Sequence, residues 1–184
     1  MKRLFLIAGL MAAFGLAVLA ASAASANFGG TWSLDKAKSQ GLSPRLQGAD
    51  KVTWTITQDD KTISIDQKVE GGQPPAGGGA GGGGGAGGGG GRPPAGPTAY
   101  KLDGSDTSTD FGQGGKMTLK ATWAGAVLEL SRKTSSTAPD GTERTSATTQ
   151  KLSLSGDGKV LTAAVHSEGG RGGPTDSTLV FNKQ

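Results

Sequence analysis

The chain has 184 residues, among them 34 glycines, one histidine and no cysteine, and a formal net charge of +4. Without cysteine it has no disulfide staple, no thiolate nucleophile and no zinc site built from Cys and His. Its 19 basic and 15 acidic side chains are interspersed, so no basic footprint marks it for nucleic acid or an anionic membrane surface.

The first stretch reads as an address. Lys2 and Arg3 precede an uncharged apolar run from Leu4 to Ala20, and Ala24-Ser25-Ala26 supplies small residues for a signal peptidase. The run falls short of the roughly 20 apolar residues of a membrane span. A signal peptide over 1–26 is expected, with cleavage after Ala26 and Ala23 as the alternative. The mature chain then begins at Asn27, lies in the periplasm or outside the cell, and keeps no membrane span. It is long enough to build one core.

Most of the remaining segments alternate with a period of two, as half-buried strands do. Asp35 to Leu46 is the one stretch with helical character, and Gly41 and Pro44 keep it short. Lys51-Val-Thr-Trp-Thr-Ile-Thr-Gln58 sets Val52, Trp54 and Ile56 against three threonines. Thr62 to Val69 repeats the pattern, and the polar Gln58-Asp-Asp-Lys61 joins the two as a hairpin.

Further strands are predicted over Thr98–Leu102, Lys116–Trp123, Val127–Lys133, Thr142–Leu154, Lys159–His166 and Asp176–Asn182. Turn formers at Ala124-Gly125, Ala138-Pro-Asp-Gly141 and Ser155-Gly-Asp-Gly158 separate several of them. The expected fold is all-β: an antiparallel meander of eight to nine strands, closed as a barrel or folded as a sandwich.

Between Thr62–Val69 and Thr98–Leu102 lies a Gly/Pro-rich stretch, Gly71 to Pro97, containing only Gly and Ala from Gly77 to Gly91. It lacks the Gly-Lys-Ser/Thr of a P-loop and the three-residue period of collagen. It reads as a disordered, expanded hairpin loop. Residues 27–184 are thus one domain, interrupted at 71–97.

Asn27-Phe-Gly-Gly-Thr-Trp-Ser-Leu-Asp-Lys-Ala-Lys-Ser39 resembles the start of a widespread, largely uncharacterised group of exported bacterial β proteins of lipocalin-like form. Leu152-Ser-Leu-Ser-Gly-Asp-Gly-Lys-Val-Leu-Thr162 and Asp176-Ser-Thr-Leu-Val-Phe-Asn-Lys183 are similar to their later hairpins and their ends. Gly30-Thr31-Trp32 resembles the Gly-x-Trp element that opens the first lipocalin strand. There the Trp plugs one barrel end beneath an Arg from the last strand. Asp176 to Asn182 holds no Arg, which leaves Arg132, Arg144 and Arg171 as substitutes. The second lipocalin motif, Thr-Asp-Tyr, is absent. The resemblance implies a lipocalin-like barrel or half-barrel with a small hydrophobic or amphipathic ligand inside.

Chemistry-bearing residues are sparse. His166 is the sole histidine, with no Gly-x-Ser-x-Gly around any serine. Asp103, Asp106 and Asp110 lack the spacing of an EF-hand loop and read as a solvated turn. No catalytic residue, metal or cofactor is assigned. Trp32, Trp54, Tyr100 and Trp123 are the candidate ligand-lining residues, able equally to fill the core; inside a barrel both roles are compatible. Too few aromatics follow the leader to form the girdles of an outer-membrane barrel. The alternative to a ligand carrier is a non-catalytic envelope module that binds a protein or glycan through its outer faces.

Overall fold

The computed structural model describes residues 26–71, 96–111, 114–137, 141–169 and 173–184. The expected leader up to residue 25 and the glycine-rich stretch 72–95 lie outside them. The fold is all-β: ten antiparallel strands form one nearly closed, barrel-shaped sheet. The first five strands are β1 (Gly30–Leu34), β2 (Lys51–Gln58), β3 (Thr62–Glu70), β4 (Thr98–Lys101) and β5 (Thr107–Phe111). The rest are β6 (Gly115–Ala124), β7 (Val127–Thr137), β8 (Glu143–Leu154), β9 (Val160–Glu168) and β10 (Thr175–Lys183). Each strand pairs with its neighbour in sequence except at two places. β1 and β10 zip together, Trp32 opposite Lys183 and Leu34 opposite Phe181. β4 and β5, at the two edges, leave an unpaired seam that β4 narrows by packing against β6.

Period-two patterning located eight of these strands, and the Gly-x-Trp resemblance the first, β1. β5 is the tenth. Its Ser108, Thr109 and Asp110 are exposed, so no apolar alternation marks it, and the three aspartates suggested a turn. Pairing with β6 and the buried Phe111 make it a strand. Among the described residues helix is confined to α1 (Pro44–Gly48), with Pro44 in the first turn and the Ser43 hydroxyl accepting from the Leu46 amide. Before it, the chain stays on the sheet edge. Asp35 N donates to Val180 O, and Gln40 exchanges backbone bonds with Thr178. The Ser39 hydroxyl accepts from Val180 N and donates to Asp35 O, knitting the looped-out residues 36–39 to β10. Gly41 follows at φ +64, where a Cβ would strike the Asp176 carbonyl.

The strands run between two unlike ends. One holds the short turns β2–β3, β4–β5, β6–β7 and β8–β9, together with Phe28 and the C-terminal Gln184. The other holds the crossing from β1 to β2 and the connections β3–β4, β5–β6, β7–β8 and β9–β10. At the short-turn end the core is dense: Phe28, Trp32, Leu128, Leu152, Leu161 and Phe181 are all fully buried. Fully burying such side chains stabilises by about 1.5–3 kcal/mol each. This cluster gives a chain without disulfides its stability.

Candidate functional site

The Gly-x-Trp element builds the plug at that end. Gly30 has φ +135, a conformation that requires glycine, and Lys183 Cε packs 3.1 Å from where a Cβ would stand. Trp32 Nε1 donates to the Phe28 carbonyl at 2.8 Å, which satisfies the one polar atom of a fully buried indole. Lys183 Nζ stands 5.2 Å from the centre of the Trp32 ring, close enough for a cation–π contact. The cation over this Trp is therefore the lysine that ends β10. Arg132 lies elsewhere, Arg144 is exposed on β8, and Arg171 lies outside the described residues. Lys183 escaped the sequence reading because it falls one residue beyond the predicted strand, and because an arginine was sought.

The other aromatic candidates divide by position. Trp54 is buried against Phe181, ring centres 4.4 Å apart, and its Nε1 donates to Gln67 Oε1 at 3.0 Å. Trp123 is only partly buried and stacks on Phe28 at 6.0 Å. Trp32, Trp54 and Trp123 thus close the short-turn end. Tyr100 stands apart from them on edge strand β4, buried, with its ring inside. Burial pushes its hydroxyl pKa up, and the nearby charge of Arg132 pulls it down.

The register shows how polarity is distributed over the inner face. One row across β6 to β10 is wholly apolar: Trp123, Leu128, Leu152, Ala163 and Leu179. The next row, two residues along each strand, is mixed: Ala121, Leu130, Gln150, Val165 and Ser177. The third is Leu119, Arg132, Thr148, Ser167 and Thr175. A fourth brings Met117, Thr134 and Ser146 level. Burial falls in parallel: Leu128 and Leu130 are buried, whereas Arg132, Thr134 and Ser136 are partly exposed. Val52 and Ile65 on β2 and β3, and Phe111 on β5 beside β6, are buried apolar residues of the same interior. Leu42 and Leu46, from the β1–β2 crossing, pack on the core with part of their surface uncovered. The interior thus grades from an oily plug to a polar mouth.

The remaining sequence candidates lie outside. His166 is on the outer face of β9 and lines a groove of about 490 Å³ with Thr149, Lys151 and Asp176. Its Nδ1 is 2.6 Å from Asp176 Oδ1 and its Nε2 is 3.2 Å from Glu168 Oε1. The Asp176 hydrogen bond, followed by that to Glu168, raises its pKa, and the two carboxylates occupy both ring nitrogens. The aspartates of 103–110 separate. Asp103 accepts from the Ser105 amide, Asp106 pairs with Lys120 at 3.5 Å, and Asp110 faces outward across from Lys116. Among the described residues, no helix is long and apolar enough to cross a membrane. No family model, curated protein or solved structure matches the chain.

Proposed function

We propose that this protein is an exported, lipocalin-like carrier that holds a small apolar or amphipathic ligand within its barrel. The graded inner face carries the reading. A core built for stability alone gains nothing from inward serines, threonines, Gln150 and an arginine, because polar groups lose their water on burial. A pocket for an amphipathic molecule needs this sorting: apolar walls for the tail and a few placed polar groups for the head. Trp32, Trp54 and Trp123 belong to the plug in this reading, and Tyr100 to the pocket. The Gly30-Thr31-Trp32 element with Lys183 above it supports kinship with lipocalins, and the apolar leader supports action outside the cytoplasm. His166, with both ring nitrogens held by carboxylates, offers no free base, which favours a carrier over an enzyme.

The test is direct. The mature protein, purified from its native host without detergent, is extracted with organic solvent and the extract analysed by mass spectrometry. Stripped protein is then titrated with ten-carbon amphiphiles by calorimetry. A stoichiometric extracted ligand, or saturable one-to-one binding, supports the carrier. An empty extract together with no saturable uptake rejects it.

A further inference from the structure

The inner face carries an uncompensated positive charge. On strands β6 to β10, Arg132 is the partly buried cation, and Arg144 follows it at the exposed mouth. The acidic residues of the paired strands lie on the outer face: Asp66, Glu70, Asp110, Glu129, Glu143, Glu168 and Asp176. Among the described residues no hydrogen bond or ion pair engages Arg132; its charge acts on the Tyr100 hydroxyl. A guanidinium has five donors in a planar fork, and it is rarely left half-buried with all of them idle.

A second, independent observation points to the same place. Thr107 Oγ1 is buried without a hydrogen-bond partner, and it is the one such side-chain atom among the described residues. Buried hydroxyls are nearly always satisfied, so an orphan calls for a missing partner. Thr107 sits opposite Leu119 on β6, and Leu119 sits opposite Arg132 on β7, so all three share the inner face. Strands about 4.8 Å apart put Thr107 and Arg132 about 10 Å apart at their Cα atoms. The Arg side chain and one anionic group fill that distance. Tyr100 reaches the same spot from β4, across the seam.

We propose that Arg132, Tyr100 and Thr107 form an anion-binding subsite at the barrel seam, which takes the carboxylate or phosphate head of an amphipathic ligand. This rests on the carrier reading above and names the head group it left open. The Arg132 fork bonds two anionic oxygens, and the two hydroxyls donate to the same group. The tail lies toward the incompletely covered Val165, one row nearer the plug. Among the described strand residues no carboxylate faces inward to compete for the guanidinium, so the anion is its counterion.

The test uses the mature, ligand-stripped protein and four ten-carbon probes: decanoate, decyl phosphate, decanol and decyltrimethylammonium. Calorimetry at physiological salt is expected to show the anions binding about 10–100-fold tighter than decanol, the range for charge-assisted hydrogen bonds. Whichever anion binds tighter identifies the head group. Arg132→Gln should abolish the preference and leave decanol within about twofold, while Thr107→Val should weaken the anions about three- to tenfold. Unchanged anion preference in folded Arg132→Gln, or decanol binding to the unaltered protein as tightly as both anions do, overturns the subsite and leaves the carrier standing. Failure of all four probes overturns both. If Arg132→Gln does not fold, the probe comparison on the unaltered protein and Thr107→Val decides.

Discussion

Replacing Trp32 tests the plug. The indole is fully buried, and an aromatic side chain of this size buries about 200 Å², which at about 25 cal/mol per Å² amounts to about 5 kcal/mol. Its hydrogen bond to Phe28 O adds about 1 kcal/mol. Partial collapse of Phe28 and Lys183 into the space recovers some of this, so Trp32→Ala should cost about 4 kcal/mol, within the range of about 3–5 for buried Trp truncations. Trp32→Phe keeps most of the ring but strands the carbonyl, and should cost about 1–3 kcal/mol. Trp123→Ala, at a partly buried ring stacked on Phe28, should cost about 2 kcal/mol. A domain of this size is stable by about 5–15 kcal/mol, so the first change removes a large part of the total. Urea titrations followed by far-UV circular dichroism measure all three without relying on the fluorophore being altered. The reasoning is refuted if Trp32→Ala costs less than about 1.5 kcal/mol, or no more than Trp123→Ala.

Other changes probe other parts. Lys183→Met keeps the length of the side chain over Trp32 and should lose about 0.5–1 kcal/mol, an effect absent when Trp32 is already alanine. Ser39→Ala removes the hydroxyl that bridges Val180 N and Asp35 O; loss of about 1–2 kcal/mol in the same urea assay is expected. His166 should titrate above its ordinary range by NMR, and Asp176→Asn should bring it down. Because the folded form binds its proton more tightly, the stabilisation from His166 is complete below its unfolded pKa of about 6.5 and fades as pH rises through the folded value. A His166 pKa that Asp176→Asn leaves unmoved would contradict the pairing. Deleting Gly77–Gly91 roughly halves the connection between β3 and β4 and should raise stability by about 0.6 kcal/mol. Replacing all of Gly71–Pro97 by Asn-Gly should instead break the β3–β4 pair. Thr98 begins opposite Ile65, so the connection must return along Asp66–Glu70, about 16 Å at strand rise, which two residues do not span.

What the sequence determined by itself is the fold class and nearly every strand. Alternation in Val52–Ile56, Met117–Trp123 or Leu161–Val165 is local, because a pleated strand sends neighbouring side chains to opposite faces. It failed at β5, where pairing with β6 and one buried Phe111 impose the strand without any alternating signal. The helical hint at Asp35–Leu46 shrank to Pro44–Gly48 for a related reason, since β10 offers the preceding residues backbone partners that no local pattern announces. The plug was half legible. Gly30 and Trp32 stand two apart in the chain, but Lys183 reaches Trp32 only because the first and last strands pair.

Of the candidate subsite the sequence offered Tyr100 as a ligand-lining residue, but its grouping with Arg132 and Thr107 was hidden. Arg132, Thr107 and Tyr100 come from three strands, and only barrel curvature and strand register put them on one inner face. In the sequence, the serines and threonines of β7 and β8 look alike whether they point into the barrel or into water. The tertiary structure decided which of them face inward, because register, and not composition, sets the side to which each residue belongs.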